Sequence, residues 1–130
     1  MRYLGIDYGE KRIGVAVSDP LGRIAFPKKT IFNRGMAKVM AEFRALVEEE
    51  KISLVVLGLP IGLDGKDTDQ TRRVRDFAEN LKKELKIEVK FENEMLTTHY
   101  VEGPGLIKKE HTDEAAAAVI LQSYLDKISH

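Results

Sequence analysis

The stretch Met1 to Asp19, MRYLGIDYGEKRIGVAVSD, decides how the rest of the chain is read. It describes a strand over residues 3–7, a tight connection containing Gly9, and a second strand over residues 12–18. Strand side chains alternate with period two, so Leu4, Ile6 and Tyr8 share one face while Tyr3, Gly5 and Asp7 share the other. Asp7 therefore closes a strand, and Gly5 leaves space beside it on the same face. Gly9 permits a positive φ or the close approach of a backbone. A carboxylate with room next to it at a strand end is a seat for a cation, although an isolated Asp-x-Gly is more often plain turn chemistry.

Working outward, Asp19-Pro20-Leu21-Gly22 signals a chain reversal. Residues 23–32 then offer a third strand, and Pro27 places it at an edge or a bulge because proline cannot donate to a ladder. Met36, Val39, Met40, Phe43, Leu46 and Val47 recur at helical steps up to the acidic run Glu48-Glu49-Glu50. Residues 53–59 are a short apolar run, the mark of a strand buried on both faces in a parallel sheet. A Pro/Gly-rich loop over residues 60–65 leads to a second helix, with Asp67 as its expected N-cap and Gln70 three residues on. Val74, Phe77, Ala78, Leu81 and Leu85 line its apolar face. Ile87, Val89 and Phe91 alternate with Glu88, Lys90 and Glu92, predicting a half-buried strand over residues 87–92. Gly103-Pro104-Gly105 forbids a long helix in the stretch 96–110. Thr112 or Asp113 caps a last helix over residues 115–127, with Val119, Ile120 and Leu125 as core candidates. The order β-β-β-α-β-α-β-α predicts an α/β fold: an antiparallel meander extended by parallel strands into a five-stranded mixed sheet, helices on both faces.

The chain has 130 residues, which suits a single domain over residues 1–130. Lys+Arg and Asp+Glu stand at 21 each, so the chain is not a strongly basic protein wrapped in nucleic acid, though a local basic patch remains open. The absence of cysteine excludes a disulfide framework and a thiolate zinc site. No apolar run approaches the ~18 residues of a membrane span, so no membrane association is expected and the cytoplasm is the expected compartment.

Three carboxylates fall at element ends: Asp7, Glu94 and Asp113. Each has an ordinary explanation, Glu94 as part of a solvated row and Asp113 as an N-cap stabilising its helix by ~1 kcal/mol. Brought together, they would repel one another unless a cation neutralised them. Oxygen-only ligation suits Mg²⁺ or Mn²⁺, and a pair of such ions can activate water for phosphodiester cleavage. Around them, Gly58-Leu59-Pro60-Ile61-Gly62 is read as a strand-to-helix junction whose backbone N–H groups can hold phosphate; it lacks the Lys-Ser/Thr of a P-loop. Gly9, Lys11, Arg12, Arg72, Arg73 and Arg75 are candidate nucleic-acid contacts, with a plain charged helix face the commoner reading for the last three. Thr97 and Thr98 can cap a helix or bind phosphate. His99 and His111 are too few for a metal box.

Taken together, Asp7-x-Gly9, Arg12-Ile13-Gly14-Val15-Ala16-x-Ser18-Asp19, Val56-x-Gly58-Leu59-Pro60, Asp64-Gly65, Leu96-Thr97-Thr98 and Asp113 with Ala116, Ile120-Leu121-Gln122 and Tyr124-Leu125 resemble the YqgF family. Its members are described as Holliday-junction-resolvase-like or as nucleases of precursor 16S ribosomal RNA. The resemblance runs through nearly the whole chain in order. It implies a ribonuclease-H-like fold, and it carries the family's acidic residues onto Asp7, Glu94 and Asp113 as metal-holding catalytic residues.

Where the family reads Asp-Glu-Arg-Leu-Thr-Thr, this chain reads Asn93-Glu94-Met95-Leu96-Thr97-Thr98, and the stretch 99–112 is short. The resemblance implies an endonuclease on structured RNA, with precursor rRNA and ribosomal particles as partners and the chain as a monomer or weak homodimer. Resolution of branched DNA is the alternative of the same chemistry. Asn93 and Met95 motivate a third, a non-catalytic RNA- or ribosome-binding module. A kinase-like nucleotide-binding fold also begins with such a hairpin but needs two domains to enclose ATP.

Overall fold

The structure, a computed structural model, describes residues 1–95 and 112–129. Its elements are β1 (Arg2–Asp7), β2 (Arg12–Ser18), β3 (Ala25–Phe32), α1 (Met36–Glu49), β4 (Ile52–Ile61), α2 (Asp69–Leu85), β5 (Glu88–Met95) and α3 (Asp113–Ile128). They form a five-stranded sheet in the order β3-β2-β1-β4-β5. The meander β1–β2–β3 is antiparallel, and β4 and β5 extend it in parallel from β1. Pro27 lies on the edge strand β3, next to a register shift between Val15 and Ala16, so the ladder loses little by it.

The faces follow the alternation. Leu4, Ile6, Ile13, Val15, Val55 and Leu57 meet Phe43 and Leu46 of α1 and Phe77 and Leu81 of α2. On the other face, Ala16, Leu54 and Val56 meet Ala117, Ile120, Leu121 and Leu125 of α3. Gly5, Gly14 and Gly58 let α3 come close: a Cβ at Gly5 would stand 2.6 Å from Leu121 Cβ, and one at Gly58 would stand 2.6 Å from Ile120 Cδ1. At Gly14 a Cβ would overlap the carbonyl of Asp113. The space Gly5 leaves is thus filled by a helix, not open to a cation.

Other expectations shift for physical reasons. β4 runs on through Pro60 and Ile61, paired to β5 alone once β1 has ended, so Pro60 and Ile61 belong to a strand and not a loop. The N-cap of α2 is Thr68, not Asp67: its hydroxyl accepts from Thr71 N while the Thr71 hydroxyl accepts from Thr68 N. Asp67 pairs instead with Arg75. Val119 is 59% exposed, and Leu121 takes the core position on α3. Gln122 explains why that helix also holds the sheet edge, since its amide accepts from Ala25 N and donates to Arg23 O. Asp19 binds the N–H groups of Leu21, Arg23 and Ile24, which makes it the organiser of the β2–β3 turn.

Candidate active site

Asp7 is the last residue of β1 and, sharing Gly5's parity, points to the α3 side of the sheet. Burial pushes its carboxyl up to about 6, with the charge of Asp113 adding to the shift. Glu94 lies inside β5, opposite Pro60 of β4, because the strand runs past the 87–92 stretch expected for it. Burial raises its carboxyl to about 7, helped by Asp7 and then by Glu92. Asp113 is the first residue of α3, and the cap itself is Thr112, whose hydroxyl accepts from Ala115 N. The Asp113 carboxylate is therefore released from capping, and its Oδ2 lies 3.0 Å from Arg12 Nε.

Three elements thus bring the three carboxylates to one face of the sheet, at the C-terminal ends of its parallel strands, where α/β folds place ligands. Asp7 titrates in the field of Asp113, and Glu94 in that of Asp7. Among the described residues, no three of His, Cys, Asp and Glu form a ready-made metal cage. Like-charge repulsion opposes closer approach, and Asp113 is turned toward Arg12. The donor set is all-oxygen and anionic, which fits a hard divalent cation and not structural zinc.

The supporting residues divide. Lys11 is exposed in the β1–β2 connection beside Arg12. Gly9 is not in the left-handed region; it is needed because a Cβ there would stand 2.5 Å from the Arg12 carbonyl oxygen, inside the turn itself. The α3-side face of Gly58 is covered by Ile120. Arg72 pairs with Asp69, Arg73 with Glu10 at 3.2 Å, and Arg75 with Asp67 at 3.0 Å. All three stand on α2, which packs on the face away from Asp7. Thr97, Thr98, His99, His111 and Gly103-Pro104-Gly105 lie outside the described residues.

Glu92 is the carboxylate that sequence reasoning missed. Placed in a solvated row by its alternation, it is 4% exposed, because α3 roofs that face. Its Oε2 accepts from Ser123 Oγ at 2.7 Å and Lys127 Nζ at 2.6 Å. Ser123 and Lys127, four residues apart on one helix face, were the available signal.

A family model described as RuvX, Holliday junction resolvase, matches residues 1–127. A protein of Nitratidesulfovibrio vulgaris named "Putative pre-16S rRNA nuclease" is 42% identical, over 97% of this chain and 94% of its own length. One of the same name from Sulfurihydrogenibium sp. is 43% identical, over 98% of this chain and 92% of its own. Among solved structures, RuvC of Thermus thermophilus in complex with a Holliday junction substrate superposes with a TM-score of 0.60 at 10% identity, covering 99% of this chain and 96% of that one. The fowlpox virus Holliday junction resolvase gives 0.58 at 14% identity, covering 98% and 100%. At those identities the likeness establishes the fold, the ribonuclease-H-like sheet of the resolvases.

Proposed function

The chain belongs to the RuvX family, which is the YqgF family of the sequence motifs, and from that premise we propose that it is a metal-dependent endonuclease that processes the 5′ end of precursor 16S rRNA. The observation that carries the reading is the convergence of Asp7, Glu94 and Asp113 on one face, with the first two held above the usual carboxylate range first by burial and then by charge, that of Asp113 on Asp7 and those of Asp7 and Glu92 on Glu94. Mutual repulsion of that kind costs stability, and a divalent cation relieves it.

Asp7, Glu94 and Asp113 would hold Mg²⁺ or Mn²⁺. When bound, such ions supply an activated water and stabilise charge on the scissile phosphate and its leaving oxygen, in the manner of two-metal hydrolysis. The chain's own part is positional. The ends of β1 and β5 fix Asp7 and Glu94, and α3, pressed onto Gly14, fixes Asp113. Arg12, now on Asp113, is free to turn to a backbone phosphate once that carboxylate takes up a cation, and exposed Lys11 adjoins it. Among the described residues no helix is long and apolar enough to cross a membrane. The proposed setting is the cytoplasm, on ribosomal particles or their precursors, as a monomer or weak homodimer.

The family description favours a second reading, resolution of a four-way DNA junction. Symmetric junction cleavage requires two sites in register, hence a dimer. Cleavage of labelled precursor 16S leader RNA and of a four-way junction, by wild type and Asp7→Asn, with Mn²⁺, Mg²⁺ or EDTA, separates the two. Metal-dependent cutting of the RNA, lost in Asp7→Asn, is the expected result. Cutting of the junction alone would transfer the assignment to the resolvase.

A further inference from the structure

Phe32, the last residue of the edge strand β3, has an environment that the fold does not explain. Its neighbour Ile31 is core at 1% exposure, yet Phe32 is 54% exposed. In register it pairs with Arg12, so both point to the α3 side, as does Thr30 through its hydrogen bond to Glu114 at 2.6 Å. Arg34 lies over the ring, Cζ 5.7 Å from its centroid. Beside the ring opens a cavity of about 320 Å³ lined by Arg12, Thr30, Phe32, Thr112, Asp113 and Glu114. That is at the small end of ligand cavities, which run roughly 300–1,000 Å³. The ring therefore flanks the same carboxylate that the proposed site uses.

We propose that Phe32, with Arg34, is a stacking platform for an unpaired base of the nucleic-acid strand that enters beside Asp113. The inference rests on the nucleic-acid reading above and adds to it a preference for a single-stranded segment next to the site. An exposed aromatic face backed by a guanidinium is what single strands stack on, because every base has a π-face. An apolar protein partner is a poorer fit, since the cavity wall carries Arg12, Asp113 and Glu114 around one ring. The two carboxylates repel a phosphate from the cavity itself, so the base occupies it and the phosphate stays outside. The hydrogen bond from Thr30 holds the Glu114 side chain in place as that wall. A paired base, already stacked between its neighbours, cannot lie on the ring.

The test is binding of a short single-stranded RNA carrying 2-aminopurine, its DNA counterpart, and the fully paired RNA duplex, all in EDTA so that nothing is cut. Alanine substitution of a stacking aromatic costs about 1–3 kcal/mol, so Phe32→Ala is expected to weaken single-strand binding roughly 5- to 150-fold, leaving duplex binding unchanged. Phe32→Trp should restore binding and the change in 2-aminopurine fluorescence, Phe32→Leu should not, and Arg34→Ala should show a smaller loss. Whichever strand, RNA or DNA, loses more identifies the source of the base. The proposal is overturned if Phe32→Ala binds as wild type, if Phe32→Leu suffices, if duplex and single strand weaken together, or if wild type binds no single strand. Mn²⁺-dependent cleavage by wild type is measured separately. A protein that cuts nothing but shows ring-dependent binding removes the nuclease reading and leaves this one. A protein that cuts with Phe32→Ala affinity unchanged does the reverse.

Discussion

Gly14→Ala should damage both the fold and the chemistry, because Gly14 is where β2 touches the backbone of Asp113. A Cβ there would overlap the Asp113 carbonyl and stand 3.0 Å from its Cα. Neither partner yields easily, since one is a central strand and the other the first turn of a helix. Removing a glycine favours folding by ~0.4–1 kcal/mol through the unfolded chain, whereas overpacking of this kind costs ~1–3 kcal/mol. The second effect is the larger, for a net loss of about 1–2 kcal/mol. Relief requires the start of α3 to lift by ~1 Å, and a misplacement of that size costs on the order of 100-fold in activity. Gly58→Ala is the control: its Cβ would meet Ile120 Cδ1 at 2.6 Å, the far end of a side chain that can rotate. Urea denaturation gives the stabilities and metal-dependent cleavage gives the rates. If Gly14→Ala matched Gly58→Ala in both, the idea that α3 is seated on Gly14 to aim Asp113 would be wrong.

Three further outcomes follow from the same geometry. Asp7 and Glu94 have folded pKa values of about 6 and about 7 against ordinary values of 3.8 and 4.5, so the native state holds more protons across that window. In EDTA, stability should be full below pH ~4 and fall as the pH rises to ~7, and Asp7→Asn should raise Tm at pH 8 while abolishing cleavage; a lower Tm would contradict the repulsion. Lys127→Ala should cost about 1–2 kcal/mol in urea, far above an ordinary exposed lysine, because it strips a charged partner from buried Glu92; loss within 0.3 kcal/mol, an ordinary surface effect, would contradict that. Thr71→Val should cost ~1–2 kcal/mol by removing the reciprocal cap of α2 and the hydroxyl's bond to the Pro60 carbonyl, read as an earlier urea midpoint; an unmoved midpoint would show that the cap is idle.

Much of this was legible in the chain, and the exceptions share a cause. Element order and sheet arrangement follow from local signals: alternation, helical spacing and turn residues. Asp7 ends β1 and Asp113 opens α3, as their positions in the sequence suggest, whereas Glu94, read as standing past the last strand, lies inside β5. What local pattern does not reveal is which face another element will cover. Glu92 alternates like a solvated residue and is roofed by α3, while Val119 reads as core and faces out. Gly5 reads as open space until Leu121 is known to fill it. Pro60 reads as a loop because prolines are rare in strands, yet β4 outruns β1 and leaves a place where one is tolerated. The cap of α2 was misplaced by one residue because Thr71, not a Glu or Gln, completes the reciprocal pair.

The central claim is that Asp7, Glu94 and Asp113 hold one metal site. Its most direct test is calorimetric titration of Mn²⁺ into wild type, Asp7→Asn, Glu94→Gln and Asp113→Asn, with folding of each checked by circular dichroism. Wild type should bind Mn²⁺ and release protons near pH 6, where Asp7 and Glu94 are still partly protonated. Each single variant should lose most of that affinity. Unchanged Mn²⁺ binding in any folded variant would remove that residue from the site, and unchanged binding in all three would contradict the account.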